Sequence, residues 1–500
     1  MSSHTHNDNG TNGFTFLPAA SPTTASGTKF GDTQESQVVF QNSNGVELRG
    51  AVLRLEQFRV VFETYQAGHT LKASQVFESF KVCVEGNLIY SGRAVICNFL
   101  NLGTVSACEV KLDGAGVAVV MKATADRRSN VAETYRMFFN RWQKQSKVLP
   151  EFKAVVSDLQ SYLSGLKIFL EQVEISIGSG QPADQLKNEL QVAQDLAPSV
   201  LASIDTLRER LLEVAARVAP EHRPAHESII RRQLHPLFLC APFAFRTYQK
   251  PLGYAGDYEM MNMIHRNTFE GETLFAKLVH YWLVNQYPAI SVRNRIAHMQ
   301  AKLVQETVRR VQQKKTARIL NVGCGPAREV QQFISNYPFA DQAEFTLIDF
   351  DSETLNYVNR ALHEAKNKHD RKTAIELVQM SVTKLLKGSA GRAYPVLAKQ
   401  FDLIYCGGLF DYFPDETCKQ FVEMFYRQLA PGGLVVVANM DDRVPFKHMQ
   451  EYLLDWHLIY RDNQRMAALV PDNAQPSDWK VIAEQVAVNL FLEVRKPDCN

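Results

Sequence analysis

The sequence predicts a multidomain protein: a small antiparallel β-barrel, a helical middle region and a C-terminal α/β, Rossmann-like sheet. Three observations predict it. At 500 residues the chain exceeds what one hydrophobic core normally serves. Its 45% hydrophobic and 22% charged content is that of ordinary globular domains. Its texture changes twice, from short β-branched runs to long helical stripes and then to strands alternating with helices.

Residues 1–35 are rich in Ser, Thr, Asn and Gly, too polar to offset their ordering entropy, and are expected to be disordered. Over 36–125 the runs "QVVFQ", "ELRGAVLRL", "FRVVFETY", "FKVCVEG", "LIYSGRAVICNFL" and "GVAVVMKA" are separated by turn signals such as "NSNGV" and "LDGAG". That spacing predicts a small antiparallel barrel or sandwich. Residues 126–235 carry two long amphipathic stripes broken by "GSGQPADQ", which predict a helical pair or bundle. Its apolar faces suit core packing or a homodimer contact. Residues 236–300 gather aromatic, acidic and Arg groups ahead of the alternating pattern.

From 301 to 500 the runs "ARILNVG", "EFTLIDF", "IELVQM", "FDLIYCGG", "GGLVVVANM" and "NLFLEVRK" alternate with helix-like stretches. This pattern predicts a doubly wound parallel sheet with ligands at the carboxyl ends of its strands. The first strand runs into "ILNVGCGPAREV". Gly323 and Gly325 permit a sharp turn and close approach of a ligand to the backbone. The helix behind them opens near Pro326, where free N–H groups favour an anion. Asp349 stands at the tip of the second strand, where a carboxylate can accept both hydroxyls of a ribose. Arg328 occupies the third glycine position of the dinucleotide pattern GxGxxG, which argues against a dinucleotide.

"LNVGCGPA", "TLIDFDSETL", "VQMSVTKLL", "FDLIYCGGLFDYFPDE" and "LAPGGLVVVANM" together resemble the motifs of class I S-adenosylmethionine-dependent methyltransferases, over roughly 317–494. The resemblance implies S-adenosyl-L-methionine as cofactor. It places Gly323 and Gly325 beside the methionine and ribose parts, Asp349 on the ribose and Phe350 on adenine. Ser381 and Val382 would meet the adenine edge, and Cys406 and Gly407 the sulfonium side. Asn321 stands where an acid is usual, Ala327 where a third Gly is usual and Ser381 where an Asp is common.

Upstream, "KPLGYAGDYE" together with "CGGLFDYFPDE" is similar to a narrower bacterial group, enzymes related to those making the 3-hydroxypalmitic acid methyl ester signal. By that resemblance the acceptor is a fatty-acid carboxylate. Such a group is ionised at neutral pH and needs no base. The methyltransferase resemblance also implies a helical lid and substrate region over 236–300, where Tyr254, Asp257 and Tyr258 become candidates for closing over the cofactor. Asp411 and Tyr412 face the same crevice. Tyr254, Asp257, Asp411 and Tyr412 are the catalytic candidates, and Arg246, Lys250 and Arg293 those for orienting the acceptor. Transfer to an amine or hydroxyl, or a signalling adaptor with a non-catalytic fold, are the alternatives.

The barrel runs "FRVVFETY" and "LIYSGRAVICNFLNLGTVSACEV" resemble PilZ domains. The resemblance implies a cyclic dinucleotide or protein partner. Leu100 replaces the Ser of the [DN]xSxxG turn and no RxxxR precedes the barrel, so a degenerate interaction or sensory barrel is the expectation. A net charge of +2 shows no nucleic-acid footprint. Eight Cys without a CxxC pair and no HExxH predict neither a metal site nor a disulfide framework. With no transmembrane run and no signal-peptide pattern, a cytoplasmic location is expected.

Overall fold

The computed structural model describes residues 36–41, 47–65, 75–84, 87–101, 105–113, 135–136, 139–140, 148–177, 182–381, 384–386, 399–444 and 446–498. The expected disordered tail at 1–35, the expected strand "GVAVVMKA" and Val382 lie outside them.

Six strands form a closed antiparallel barrel: β1 (Gln37–Gln41), β2 (Glu47–Leu55), β3 (Arg59–Tyr65), β4 (Val76–Val84), β5 (Asn87–Asn101) and β6 (Val105–Leu112). Their order is β1-β2-β3-β6-β5-β4, closed by pairing of β1 with β4. Closure leaves no free sheet edge. Alternate residues point inward, and Phe40, Phe62, Phe77 and Phe80 meet there. The Phe40 and Phe77 ring centroids are 4.7 Å apart. Sandwich and barrel were both open on sequence, and the structure is the barrel.

The long helices α1 (Pro150–Ile177) and α2 (Pro182–Ala215) pack on each other, and α1 also packs on α3 (Arg223–Phe238). Then come α4 (Pro242–Gln249), α5 (Tyr258–Arg266), α6 (Leu274–Val284) and α7 (Tyr287–Gln312). Asp257 caps α5 by accepting from the Met260 N–H at 2.9 Å. Thr273 caps α6 in the same way.

The C-terminal sheet has seven strands: β7 (Ala317–Val322), β8 (Ala343–Asp349), β9 (Ala374–Gln379), β10 (Phe401–Cys406), β11 (Leu429–Met440), β12 (Trp479–Ala483) and β13 (Asn489–Arg495). The helices α8 (Arg328–Asn336), α9 (Ser352–Lys368), α10 (Asp415–Gln428), α11 (Lys447–Leu454) and α12 (Asn463–Ala467) surround it. The order is β12-β13-β11-β10-β7-β8-β9. Strands β7 to β11 pair in parallel, whereas β13 runs antiparallel to both β11 and β12. The wholly parallel expectation is therefore corrected at this edge. Strand β12 escaped the sequence reading because it is a short, half-exposed edge strand. The chain order reverses direction between β7 and β10, and at such a switch point the strand ends diverge and leave a crevice.

Candidate active site

A cavity of about 380 Å³ opens at the carboxyl ends of β7, β8 and β10. On the sheet side the 323–325 turn forms its floor. Gly323 and Gly325 have φ of +70° and +49°. The N–H groups of Gly323 and Cys324 both donate to the Ile348 carbonyl, at 2.9 and 3.1 Å. The Gly325 N–H donates to Asp349 Oδ2 at 3.1 Å. A Cβ added at Gly325 would meet nothing within 4 Å, so the backbone here faces open space. Asp349 is buried, and its Oδ1 accepts from the Asp351 N–H at 3.1 Å. Burial raises its carboxyl pKa above the usual value. The Phe350 ring beside it is 47% exposed at the cavity and tilts toward Tyr254, with 5.4 Å between centroids.

The 250–259 segment covers the cavity from the other side. Leu252, Gly253, Tyr254 and Gly256 line it. The flanks are anchored elsewhere. Lys250 donates to the Asp455 carbonyl at 2.7 Å and to Asp455 Oδ2 at 2.6 Å. Arg246 Nε donates to both oxygens of Asp257, at 2.8 and 2.9 Å. Tyr258 donates to Glu353 Oε1 at 2.8 Å, pinning the segment to α9. Gly256 is required locally, since a Cβ there would stand 2.7 Å from the Tyr412 hydroxyl.

Asp411 and Tyr412 sit on a short turn after β10 and line the cavity. Fully buried Arg461 holds this turn by donating to the carbonyls of Phe410 and Phe413, at 2.8 and 2.6 Å. Asp411 Oδ1 accepts from the Met440 N–H at 2.8 Å, and burial raises its pKa to about 6. The Tyr412 hydroxyl accepts from Trp456 Nε1 at 3.1 Å. Burial pushes the phenols of Tyr254 and Tyr412 upward, so both are neutral hydroxyls at pH 7.

Residues 319–433 match the family model of the methyltransferase domain. The chain carries a methyltransferase domain. Glycine turn, buried acid at the second strand tip and crevice at the switch point are the parts an S-adenosyl-L-methionine-dependent methyltransferase requires. Enzyme and cofactor are assigned on that footing. Among solved structures, an exported protein of Bordetella parapertussis, described as possible, is 15% identical, covering 64% of this chain and 100% of its own at TM-score 0.37. An N-methyltransferase from Bradyrhizobium japonicum is 14% identical, covering 41% and 97%, at TM-score 0.26. The magnesium protoporphyrin IX methyltransferase of Synechocystis with bound S-adenosylmethionine is 10% identical, covering 47% and 90%, at TM-score 0.30. None of these likenesses carries the functional reading. No curated protein matches the chain.

The methyltransferase domain brings Asn321, Gly323, Gly325, Asp349, Phe350, Gly407, Asp411 and Tyr412 to one cavity with Tyr254 of the 250–259 segment. Six expected site residues do not line it. Cys406 is fully buried in the core under the sheet, with its thiol pushed up to about 12 by burial. Asp257, Arg246 and Lys250 are held in the pairs described above. Arg293 donates to the carbonyls of Ile264 and Val284, at 3.1 and 2.7 Å, and so ties α7 to the ends of α5 and α6. Ser381 likewise stands outside the lining, beside Val382, which is not described.

Among the lining residues that escaped the sequence reading are the ionisable Glu329, Arg295 and His265. Glu329, in the first turn of α8, is buried and accepts from Asn321 Nδ2 at 3.0 Å and from the Tyr405 hydroxyl at 2.8 Å. It supplies from the helix the carboxylate that Asn321 lacks. Asn321 Oδ1 is buried with no hydrogen-bond partner among the described residues. Burial lowers the His265 pKa to about 4, so its imidazole is neutral. The orphan Asn321 oxygen, the open floor at Gly325, the buried Asp349 and the exposed Phe350 ring fit the amino, ribose and adenine groups of S-adenosylmethionine. Among the described residues no His/Cys/Asp/Glu group could hold a metal, and no helix is long and apolar enough to cross a membrane.

Proposed function

We propose that the chain transfers a methyl group to the carboxylate of a fatty or 3-hydroxy fatty acid, giving a methyl ester. One observation supports the acyl acceptor above others. Three of its lining residues, Val292, Met440 and Trp456, also line a separate apolar cavity of about 20 Å³ walled by Phe243, Ile264 and Leu283. Apolar walls of this kind suit an alkyl chain, which gains about 0.8 kcal/mol for each buried CH₂.

S-adenosylmethionine, when bound, supplies an electrophilic methyl group on a sulfonium. Asp349 accepts the ribose hydroxyls, Phe350 offers a face to adenine, and Asn321 Oδ1 accepts from the amino group. The lid ring of Tyr254 excludes water and favours a cation at its face. An acceptor carboxylate is already ionised, so the chain's task is alignment in a dry site rather than proton removal. The lining fits that division of labour. Its three phenols, Tyr254, Tyr405 and Tyr412, are neutral, its imidazole is a weak base, and Asp411 already holds a backbone N–H.

The same reading gives the barrel a regulatory part. The Arg49 N–H of β2 donates to Gln249 Oε1 at 3.0 Å, and Phe245 of α4 packs against the barrel core. The barrel thus touches the helix that leads into the lid, so a cyclic dinucleotide or protein bound to it has a route to the cavity. On α1, exposed Ile168, Phe169 and Ile175 suit a contact between two copies of the chain.

The test is product analysis. Full-length protein is incubated with S-adenosylmethionine and fatty acids, 3-hydroxy fatty acids, fatty amines and fatty alcohols. Methyl esters from the acids alone are the expected products. Cofactor binding with transfer to none of them would support a non-catalytic adaptor, and products from amines or alcohols would move the acceptor class.

A further inference from the structure

Arg295 of α7 lines the cavity and is 7% exposed. Its guanidinium lies over Gly407 and Gly408. A Cβ added at Gly408 would stand 3.1 and 3.3 Å from its two terminal nitrogens, and one at Gly407 would stand 3.7 Å from Nε. The paired glycines after β10 therefore make the room this side chain occupies. Arg295 makes no hydrogen bond or ion pair among the described residues, and it is the only cation among the described lining residues. Its neighbours on the same helix, Arg293, Arg309 and Arg310, are each paired.

Asp411 and Glu329 favour its charge from a distance, but neither forms an ion pair with it among the described residues. Glu329 Oε1 already takes Asn321 and Tyr405, and Asp411 Oδ1 takes the Met440 N–H. A buried charge without a counter-ion is costly, and a guanidinium does not escape by losing its proton. Five donors facing a cavity from a planar fork match the geometry of a carboxylate. We propose that Arg295 is the carboxylate receptor of this cavity, the binding role for which Arg246, Lys250 and Arg293 stood as sequence candidates. Two sources present that group here: the acceptor acid and the amino-acid end of the cofactor. The first rests on the acyl reading above, and the second does not.

The test is calorimetric binding to the full chain, wild type and Arg295→Met, with melting checked in each. The probes are S-adenosylhomocysteine, its decarboxylated analogue, 3-hydroxypalmitate and the corresponding diol. Wild type is expected to favour one acid over its carboxylate-free analogue by tenfold or more, as charged hydrogen bonds do, and Arg295→Met to lose that preference. Loss confined to the S-adenosylhomocysteine pair assigns the group to the cofactor, even if no fatty acid binds or is methylated. Loss confined to the fatty pair assigns it to the acceptor. Where Arg295→Met does not fold, Gly408→Ala displaces the guanidinium without removing it, and Arg295→Lys keeps the charge without the fork. Each is expected to weaken the same preference. Preferences unchanged within twofold in a folded variant overturn the proposal.

Discussion

The 323–325 turn and the 252–256 loop face each other across one cavity, and different physics holds each. The turn is held by backbone. Two of its N–H groups share the Ile348 carbonyl, a third meets Asp349, and two glycines take positive φ. The loop is held by side chains at its ends: Arg246 on Asp257, Lys250 on Asp455 and Tyr258 on Glu353. A backbone-held turn fails when one residue cannot adopt its conformation. A loop held by separate pairs loosens one anchor at a time and leaves the sheet intact.

The sharpest way to break that distinction is Arg246→Met. It strips the cation from Asp257, whose side chain is 1% exposed. Removing one partner of a buried pair costs about 3–5 kcal/mol. Denaturant unfolding is expected to show a loss near the lower end, because Arg246 itself is part-exposed, and hydrogen exchange is expected to accelerate across 257–266. Adding Asp257→Asn removes the stranded charge and recovers part of the loss, since an amide oxygen still caps α5. An unfolding change below about 1 kcal/mol in the single variant would show that the anchor lies elsewhere.

Gly323→Val tests the other side. A β-branched residue at a φ of +70° carries backbone strain of about 1–3 kcal/mol or more. Its Cβ would make ordinary van der Waals contact with Leu409 at 3.5 Å, so the strain lies in the backbone. Affinity for S-adenosylhomocysteine is expected to fall about a hundredfold or beyond detection, with melting lowered only modestly. Retained affinity would falsify the placement of the cofactor.

The same contrast explains what could be read from the chain. The alternating strands and helices, the glycine turn and Asp349 are local features, written in consecutive residues, and they stood out. So did the barrel, whose strands are separated by turn signals. The anchoring role of Lys250 did not, because its partner is remote: it meets Asp455 from 205 residues away. Arg293 and Arg295 look interchangeable in "VRNRI", yet residues two apart on a helix face different ways. One ties helices together, and the other faces the cavity. Glu329 reads as an ordinary acid in a first helical turn, favoured there by the helix dipole. Only the packing of α8 against β7 and β10 shows that it is buried beneath the cavity floor.

Asp411 offers a smaller, pH-dependent effect. Burial raises its pKa to about 6 in the folded chain, above the value of about 4 for an exposed carboxyl. The folded state therefore binds the proton more tightly than the unfolded state does. The stabilisation this gives is fully present below about pH 4 and is lost as pH rises through about 6. Asp411→Asn keeps an oxygen for the Met440 N–H and removes the ionisation. Its stability relative to wild type is expected to improve by about 2 kcal/mol between pH 4 and pH 7. A difference independent of pH over that window would mean that Asp411 ionises freely in the folded protein.

The barrel contact is expected to give the smallest effect. Gln249→Leu removes the acceptor for the Arg49 N–H and leaves the volume largely filled. A neutral hydrogen bond contributes about 1 kcal/mol, and Arg49 sits on a strand already closed by its barrel partners. Global unfolding is expected to change by no more than that. If the contact only glues two parts together, hydrogen exchange will speed up in β2 and α4 alone. If it transmits to the lid, as the regulatory reading requires, exchange will also speed up through 250–257, and S-adenosylhomocysteine affinity will shift by a few fold. Gln249 directly precedes Lys250, whose left-handed backbone starts the loop and whose ammonium anchors it to Asp455. Movement of the α4 end therefore pulls on a side-chain anchor, while the backbone-held turn across the cavity stays in place.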